Sequence, residues 1–163
     1  MQDAITAADY RSAMARLASA VTVVTTDGPG GRRGMAATAV TSVTDDPPNL
    51  LVCVNRSTRS NAMIKQNGVF AINVLSAVQE ALVPAFAGHD GDPFASAELW
   101  HTLVTGAPIL RNTLTSLDCS LDQIINVGTH SLFVGRVVGV TPGGAVAGLV
   151  YFDRQFIAVG PRP

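Results

Sequence analysis

Strand-like runs dominate this chain, and the helical segments between them come singly rather than in alternation with strands. "VTVVTTD" (21–27), "MAATAVTSVT" (35–44), "LLVCVNR" (50–56), "VFAINVLS" (69–76), "SLDCSLDQIINV" (116–127), "HSLFVGRVVGVT" (130–141) and "LVYFDRQFIAV" (149–159) are all rich in β-branched and apolar residues. Strict alternation of strand and helix would give a doubly wound parallel sheet. Runs of strands with inserted helices give an antiparallel barrel or sandwich instead. The expected fold is therefore mainly β, a single domain over residues 1–163.

The breakers set the details. "GPGGRRG" (28–34) is a turn cluster, so the runs on either side of it form a hairpin. "DDPPN" (45–49) interrupts the pattern, because proline cannot donate to a ladder. The run at 50–56 then reads as a central strand. "STRSNAMIKQNG" (57–68) suits a short helix stopped by Asn67-Gly68. "AVQEALVPAFAG" (77–88) reads as a helix interrupted or started near Pro84, and residues 89–108 as mostly loop. At the N-terminus Thr6 or Asp9 can cap a helix whose Tyr10, Met14, Leu17 and Ala18 make one apolar stripe.

Composition excludes several classes of function. Apolar residues make up 47% and charged ones 14%, too apolar for disorder and more apolar than a monomer of this size needs. The excess points to a subunit interface or a cofactor cleft. A net charge of −1 gives no basic face for nucleic acid. No apolar run reaches the roughly eighteen residues of a membrane span, and no basic-then-apolar export signal opens the chain, so the expected location is the cytoplasm. Cys53 and Cys119 each sit inside an apolar run and read as buried free thiols.

Several motifs fail on inspection. Gly28 to Gly34 resembles a dinucleotide fingerprint, but the pattern needs glycine where Arg33 stands, and it leads into a strand. His89, Asp90 and Asp92 lack the spacing of a metal-ligand set, and no metal is expected. There is no G-x-S-x-G elbow and no cysteine with a nearby base.

Two constellations remain. From Ala36 to Ser42 the chain carries small and hydroxyl side chains, over which a flat ligand could approach the backbone. Asn55, Arg56, Ser57, Thr58, Arg59 and Ser60 follow at a probable helix start, where hydroxyls, guanidinium groups and backbone N–H groups could hold an anion. The same residues also suit a Thr/Ser-rich strand and an ordinary N-cap with solvated arginines. The second constellation is Gly128-Thr129-His130. In a regular strand His130 shares a face with Leu132 and Val134, either as a ligand contact or as a structural histidine bonded to a carbonyl. The residues alone leave both choices open.

Taken in order, "RSAMARLASAVTVVTTDGPGGRRGMAATAVTSVTDDPPNLLVCVNRST", "FAINVLS", "AFAG", "SLDCSLDQIINVGTHSLFVGRV" and "GLVYFDRQF" resemble the short-chain flavin reductase family. These are the small reductase components of two-component flavin monooxygenases, of the kind that serves 4-hydroxyphenylacetate 3-monooxygenase. The resemblance covers about Arg11 to Phe156. It implies a split β-barrel of Greek-key, FMN-binding type with flanking helices, a homodimer, and reduction of FMN or FAD by NADH or sometimes NADPH. The reduced flavin would diffuse to a separate oxygenase.

It also implies roles for residues. Ala37, Thr38, Ala39, Val40 and Ser42 would line the isoalloxazine ring, Cys53, Val54 and Asn55 would flank it, and Phe86 would border the same cleft. Ser57, Thr58, Arg59 and Ser60 would receive the phosphate. Gly128, Thr129 and His130 would seat the nicotinamide nucleotide, with Tyr151, Arg154 and Phe156 closing the site. No acid–base residue is expected, because hydride transfer between stacked rings needs none. Two other readings stand beside this one: a protein with tightly held FMN that serves a corrinoid, ferric iron or a protein acceptor, and a non-catalytic flavin-binding module.

Overall fold

A computed structural model describes residues 4–88 and 92–161. His89 and Asp90 of the rejected metal motif lie outside the described residues.

The main sheet is antiparallel and has seven strands: β2 (Thr22–Thr26), β3 (Arg33–Ala37), β4 (Val40–Asp45), β5 (Pro48–Asn55), β6 (Val69–Val74), β9 (Thr115–Val127) and β10 (His130–Pro142). Their order is β3-β2-β6-β9-β10-β5-β4, so two strands consecutive in the chain occupy opposite edges. Only Thr38 and Ala39 join them. Three Cα steps reach at most about 11 Å, whereas the edges of a flat seven-stranded sheet stand roughly 29 Å apart. The sheet must therefore curl until its edges nearly meet. They do not pair, and the result is a split barrel whose opening lies at residues 38–39. Ala39 is tied to the far edge, its carbonyl accepting from the Cys53 N–H at 3.0 Å.

Period-2 alternation explains which side chains fill the barrel. Along β5, Leu50, Val52 and Val54 point into the core while Leu51, Cys53 and Asn55 face outward. Phe70, Ile72, Phe133 and Cys119 complete the interior, and Ile64 enters it from helix α2 (Arg59–Asn67). A second apolar cluster lies outside the sheet. There Val21, Val23 and Leu75 meet Val83 and Phe86 of the short helix α3 (Val83–Phe86), together with Leu149. β2 is buried on both faces because it serves both clusters. A smaller sheet of β1 (Ser19–Ala20), β11 (Gly148–Phe152) and β12 (Gln155–Val159) covers part of this side, and β7 (Trp100–His101) pairs with β8 (Ile109–Leu110).

Gly135 shows how tightly the interior is filled. A Cβ there would overlap the edge of the Phe70 ring, standing 2.7 Å from its Cε1 and 3.0 Å from Cys119 Cβ. Gly135→Val should cost about 1–3 kcal/mol by overpacking, read as an earlier urea midpoint. An unchanged midpoint would mean that the Phe70 ring moves aside freely.

Most sequence expectations hold. The 28–34 turn closes the β2–β3 hairpin, and Gly68 stops α2 at a φ of 68°. The segment at 77–86 is a 3₁₀ turn followed by α3, with Pro84 in its first turn. Four expectations need correction. "MAATAVTSVT" is not one strand, because barrel closure breaks it at Thr38-Ala39. "LVYFDRQFIAV" is the β11–β12 hairpin, turned at Asp153 and Arg154, whose φ values of 46° and 63° are the left-handed pair a tight hairpin requires. β5 is paired on both sides, yet only one strand from the edge. The N-terminal helix α1 (Ala7–Met14) begins at Thr6 with Asp9 in a reciprocal capping box, but it ends before Leu17 and buries none of its residues.

Candidate active site

The split in the barrel opens into two adjoining cavities. The smaller, about 340 Å³, is walled by β3 and the 38–39 link, by Cys53 and Asn55 of β5, by His130, and by Tyr151 and Phe156. The larger, about 730 Å³, runs from the same Thr38, Ala39, Cys53 and Tyr151 out beneath Tyr10, Met14 and Leu17. Both fall in the roughly 300–1,000 Å³ range of small-molecule sites. Among the described residues neither wall contains a carboxylate, and the charged residues lining the larger one are Arg11 and Arg154. An anionic ligand meets no repulsion there.

Local structure explains why these side chains converge. In the β5–β10 ladder His130 pairs with Asn55 and Leu132 with Cys53, and directly opposed residues share a face. That face is the outward one, while Ser131 and Phe133 point into the barrel. Tyr151 and Phe156 oppose one another in the β11–β12 hairpin, with ring centroids 5.5 Å apart. Small side chains at Ala36, Ala37 and Ala39 leave the opposite wall shallow, and Thr38 and Ala39 are exposed. A flat ring can lie on this surface.

The loop from Asn55 to Thr58 is held by its own hydrogen bonds. Asn55 Oδ1 accepts from the Ser57 N–H and the Ser57 hydroxyl, both at 2.9 Å. Thr58 caps α2, accepting from the Asn61 N–H at 3.3 Å while its hydroxyl donates to the Asn55 carbonyl at 2.8 Å. Arg56 ties the loop to the β9–β10 turn. Its N–H donates to the Thr129 carbonyl at 2.9 Å and its Nη1 to the Gly128 carbonyl at 3.3 Å. Asn55, Ser57, Gly128 and Thr129 thus border one shallow surface depression with Arg56 and Lys65. Gly128 sits at a φ of 52° with open space around it, and the Thr129 hydroxyl lies 2.9 Å from His130 Nδ1.

Not every residue singled out in the sequence lies on this surface. Val54 fills the barrel core, so only its backbone can face a ligand. Ser42 is exposed on β4 and borders neither cavity, because the strand has already left the split. Phe86 is buried in the second cluster, edge-on to Trp100 and pressed under Gly34, away from the cleft. Ser60 is buried in the first turn of α2, while Arg59 beside it is exposed. Arg154 stands at the outer end of the larger cavity, its Nη2 donating to the Ser12 hydroxyl at 3.2 Å. Val21, Met35 and Val83 join the wall without any signal in the sequence. Tyr10, Met14 and Leu17, the apolar stripe of the N-terminal segment, line the larger cavity.

Neither thiol is poised for nucleophilic chemistry. Burial pushes the Cys53 thiol up, and burial together with the Asp118 charge pushes Cys119 up to about 12. Both cysteines are free.

The model of the flavin reductase like domain matches residues 14–160, nearly the whole chain. The chain belongs to the flavin reductase like family. Among its relatives in that family is the FMN reductase (NADH) RutF of Ancylobacter novellus, 48% identical over 98% of this chain and 89% of that protein. The enzyme of the same name from Serratia proteamaculans is 48% identical over 91% of this chain and 85% of that protein. Solved family folds superpose closely. BorF, the flavin reductase component of a bacterial two-component tryptophan halogenase, gives a TM-score of 0.89 at 32% identity, covering 96% of this chain and all (100%) of that one. The NADH:FAD oxidoreductase SgcE6 of Streptomyces globisporus, solved in complex with NAD and FAD fragments, gives 0.86 at 30% identity, covering 94% and 93%.

Proposed function

We propose that this flavin oxidoreductase takes a hydride from NADH to FMN or FAD in the cleft at the barrel split and releases the reduced flavin to a separate oxygenase. The observation that carries this reading is one apolar surface with two sets of residues around it. Ala37, Thr38, Ala39, Cys53 and Asn55 make one side, and His130, Tyr151 and Phe156 the other. The residues present fit a flat heterocycle on the alanine wall, with its phosphate near the Ser57–Arg59 loop and the cations of Arg56 and Arg59.

A flavin bound there supplies the electron-accepting ring, and the chain's task is to hold a second ring against it. Met35, Ala36 and Val21 make that surface apolar and restrict water at it. His130 borders the cleft at the mouth of β10 and orients the nucleotide. No side chain on the cleft needs to shuttle a proton during the transfer, because protons can exchange with solvent at the exposed 38–39 edge. The same exposure supports a flavin that comes and goes over one held permanently. The FMN and NADH named for the sequence relatives support that pair as the preferred substrates.

A homodimer belongs to the proposal. Ile124, Ile125 and Val127 on β9, and Phe156, Ile157 and Val159 on β12, are between 39% and 58% exposed, more apolar edge than a solvated monomer would present. Among the described residues no helix is long and apolar enough to cross a membrane.

The decisive experiment follows NADH absorbance with and without added FMN or FAD. Flavin-dependent NADH loss by a protein that is colourless after dialysis is expected; a yellow protein indifferent to added flavin would overturn the diffusible-product reading. His130→Ala should raise the KM for NADH about tenfold, equivalent to one lost hydrogen-bonding contact of roughly 1.4 kcal/mol, and leave flavin affinity nearly unchanged. Equal loss of both would remove His130 from the nucleotide.

A further inference from the structure

A flavin placed as proposed above does not account for the whole of the larger cavity. That cavity shares Thr38, Ala39, Cys53 and Tyr151 with the smaller one, whereas Asn55, Thr58 and His130 line only the smaller. Ser57 and Arg59, at the loop that takes the flavin phosphate, line neither. A flavin with its ring on the alanine wall and its phosphate at that loop leaves the end beneath α1 to another group.

That end has its own chemistry. α1 buries none of its residues, yet the β11–β12 turn fixes its position. The Asp153 N–H donates to the Ala15 carbonyl at 2.6 Å, and Arg154 Nη2 to the Ser12 hydroxyl at 3.2 Å. Held this way, Tyr10, Met14 and Leu17 line the cavity while remaining 61%, 44% and 59% exposed. A patch of exposed apolar side chains on a cavity wall marks a ligand-binding groove. Arg11 and Arg154 stand on the same wall, and no described carboxylate does. Two guanidinium groups without a counter-charge suit phosphate, to which arginine presents parallel N–H donors. An aromatic ring and two apolar side chains beside them suit a flat heterocycle. A purine joined to a diphosphate meets both needs. NADH carries one, and its other half is assigned to His130 on the adjoining cavity, with Tyr151 lining both.

We infer that the larger cavity holds the adenosine diphosphate half of NADH, its phosphates on Arg11 and Arg154 and its adenine against Tyr10, Met14 and Leu17. The inference rests on the reading of this cleft as a flavin and NADH site. It makes α1 part of the nucleotide site, and Arg11 a binding residue for NADH but not for flavin.

Calorimetric titration with ADP, which has the diphosphate and adenine but no nicotinamide, should show saturable binding in the millimolar range, with or without excess FMN. Arg11→Gln should weaken ADP about tenfold by removing one charged hydrogen-bonding partner, and adenosine should bind the unaltered protein at least about tenfold more weakly than ADP. In steady-state assays Arg11→Gln should raise the KM for NADH about tenfold. It should leave the KM for FMN, FAD and reduced nicotinamide mononucleotide, which lacks the adenylate half, within about twofold. Arg16→Gln removes the same charge from a residue that lines neither cavity, and should change none of these values. Thermal melts confirm that each variant is folded. The inference fails if ADP does not bind, if Arg11→Gln leaves ADP and NADH unaffected, or if the KM for FAD rises in place of that for NADH. Flavin-dependent NADH loss by the unaltered protein tests the underlying reading separately, because ADP binding needs no turnover.

Discussion

Replacing Asn73 with leucine is expected to lower stability by about 4 kcal/mol. Asn73 lies on β6 with no solvent exposure, and all of its hydrogen-bonding capacity is used. Its Nδ2 donates to the Val23 carbonyl at 3.0 Å and to the Thr25 hydroxyl at 3.1 Å. Its Oδ1 accepts from the Leu110 N–H at 2.8 Å and the Ser116 hydroxyl at 2.9 Å. One amide therefore joins β2, β8 and β9 at the seam between the barrel and the outer cluster. Leucine is close in size, so the loss is not one of packing. It comes from buried groups left without partners, each costing about 1–3 kcal/mol, less whatever water or local rearrangement recovers. Urea unfolding checks it, with the midpoint shifted and the slope retained. A loss under about 1 kcal/mol would show that water enters the seam and takes over the amide's contacts.

Asn73 also marks how far the sequence could be read. "VFAINVLS" was legible as a strand because its apolar pattern and flanking breakers report local geometry. Nothing in the octapeptide reports that its asparagine is buried among strands up to fifty residues away in sequence. The same division runs through the site. The period-2 pattern of "LLVCVNR" was enough to make a strand, and the strand in turn puts Cys53 and Asn55 on one face and Val54 on the other. The resemblance singled out all three, because a sequence motif carries no direction for a side chain. The break at Thr38-Ala39 was illegible for a different reason. Those residues continue a good strand pattern, and only closure of a seven-stranded sheet forces the chain to cross from one edge to the other there. The hairpin at Asp153-Arg154 lacked the Asn-Gly or Asp-Gly pair that usually announces a left-handed turn. The stripe Tyr10-Met14-Leu17 is legible as an apolar face, but periodicity does not say what that face borders, which is the larger cavity.

That crossing point carries the second large effect. Ala39→Trp is expected to lower kcat/KM for flavin by about a hundredfold while leaving the melting temperature within about 2 °C. Ala39 borders both cavities, and its side chain is exposed, so an indole can be added there without entering the core. Its backbone bond to Cys53 is untouched by the change. Within the cleft the added ring would occupy the alanine wall on which the flavin is proposed to lie. Forcing extra bulk into a well-packed site typically costs about 1–3 kcal/mol, and a hundredfold loss corresponds to about 2.7 kcal/mol, so the two magnitudes agree. Ala39→Ser, which adds one small polar atom, should stay within about threefold of the unaltered enzyme. The pair separates blockage from loss of a specific contact: a cleft that binds the ring by surface contact tolerates serine and rejects tryptophan. Steady-state assays with FMN varied at saturating NADH measure both variants. If the tryptophan variant keeps more than about half of the original activity, the flavin does not lie across the 38–39 link, and the surface shared by His130, Tyr151 and Phe156 would have to serve something else.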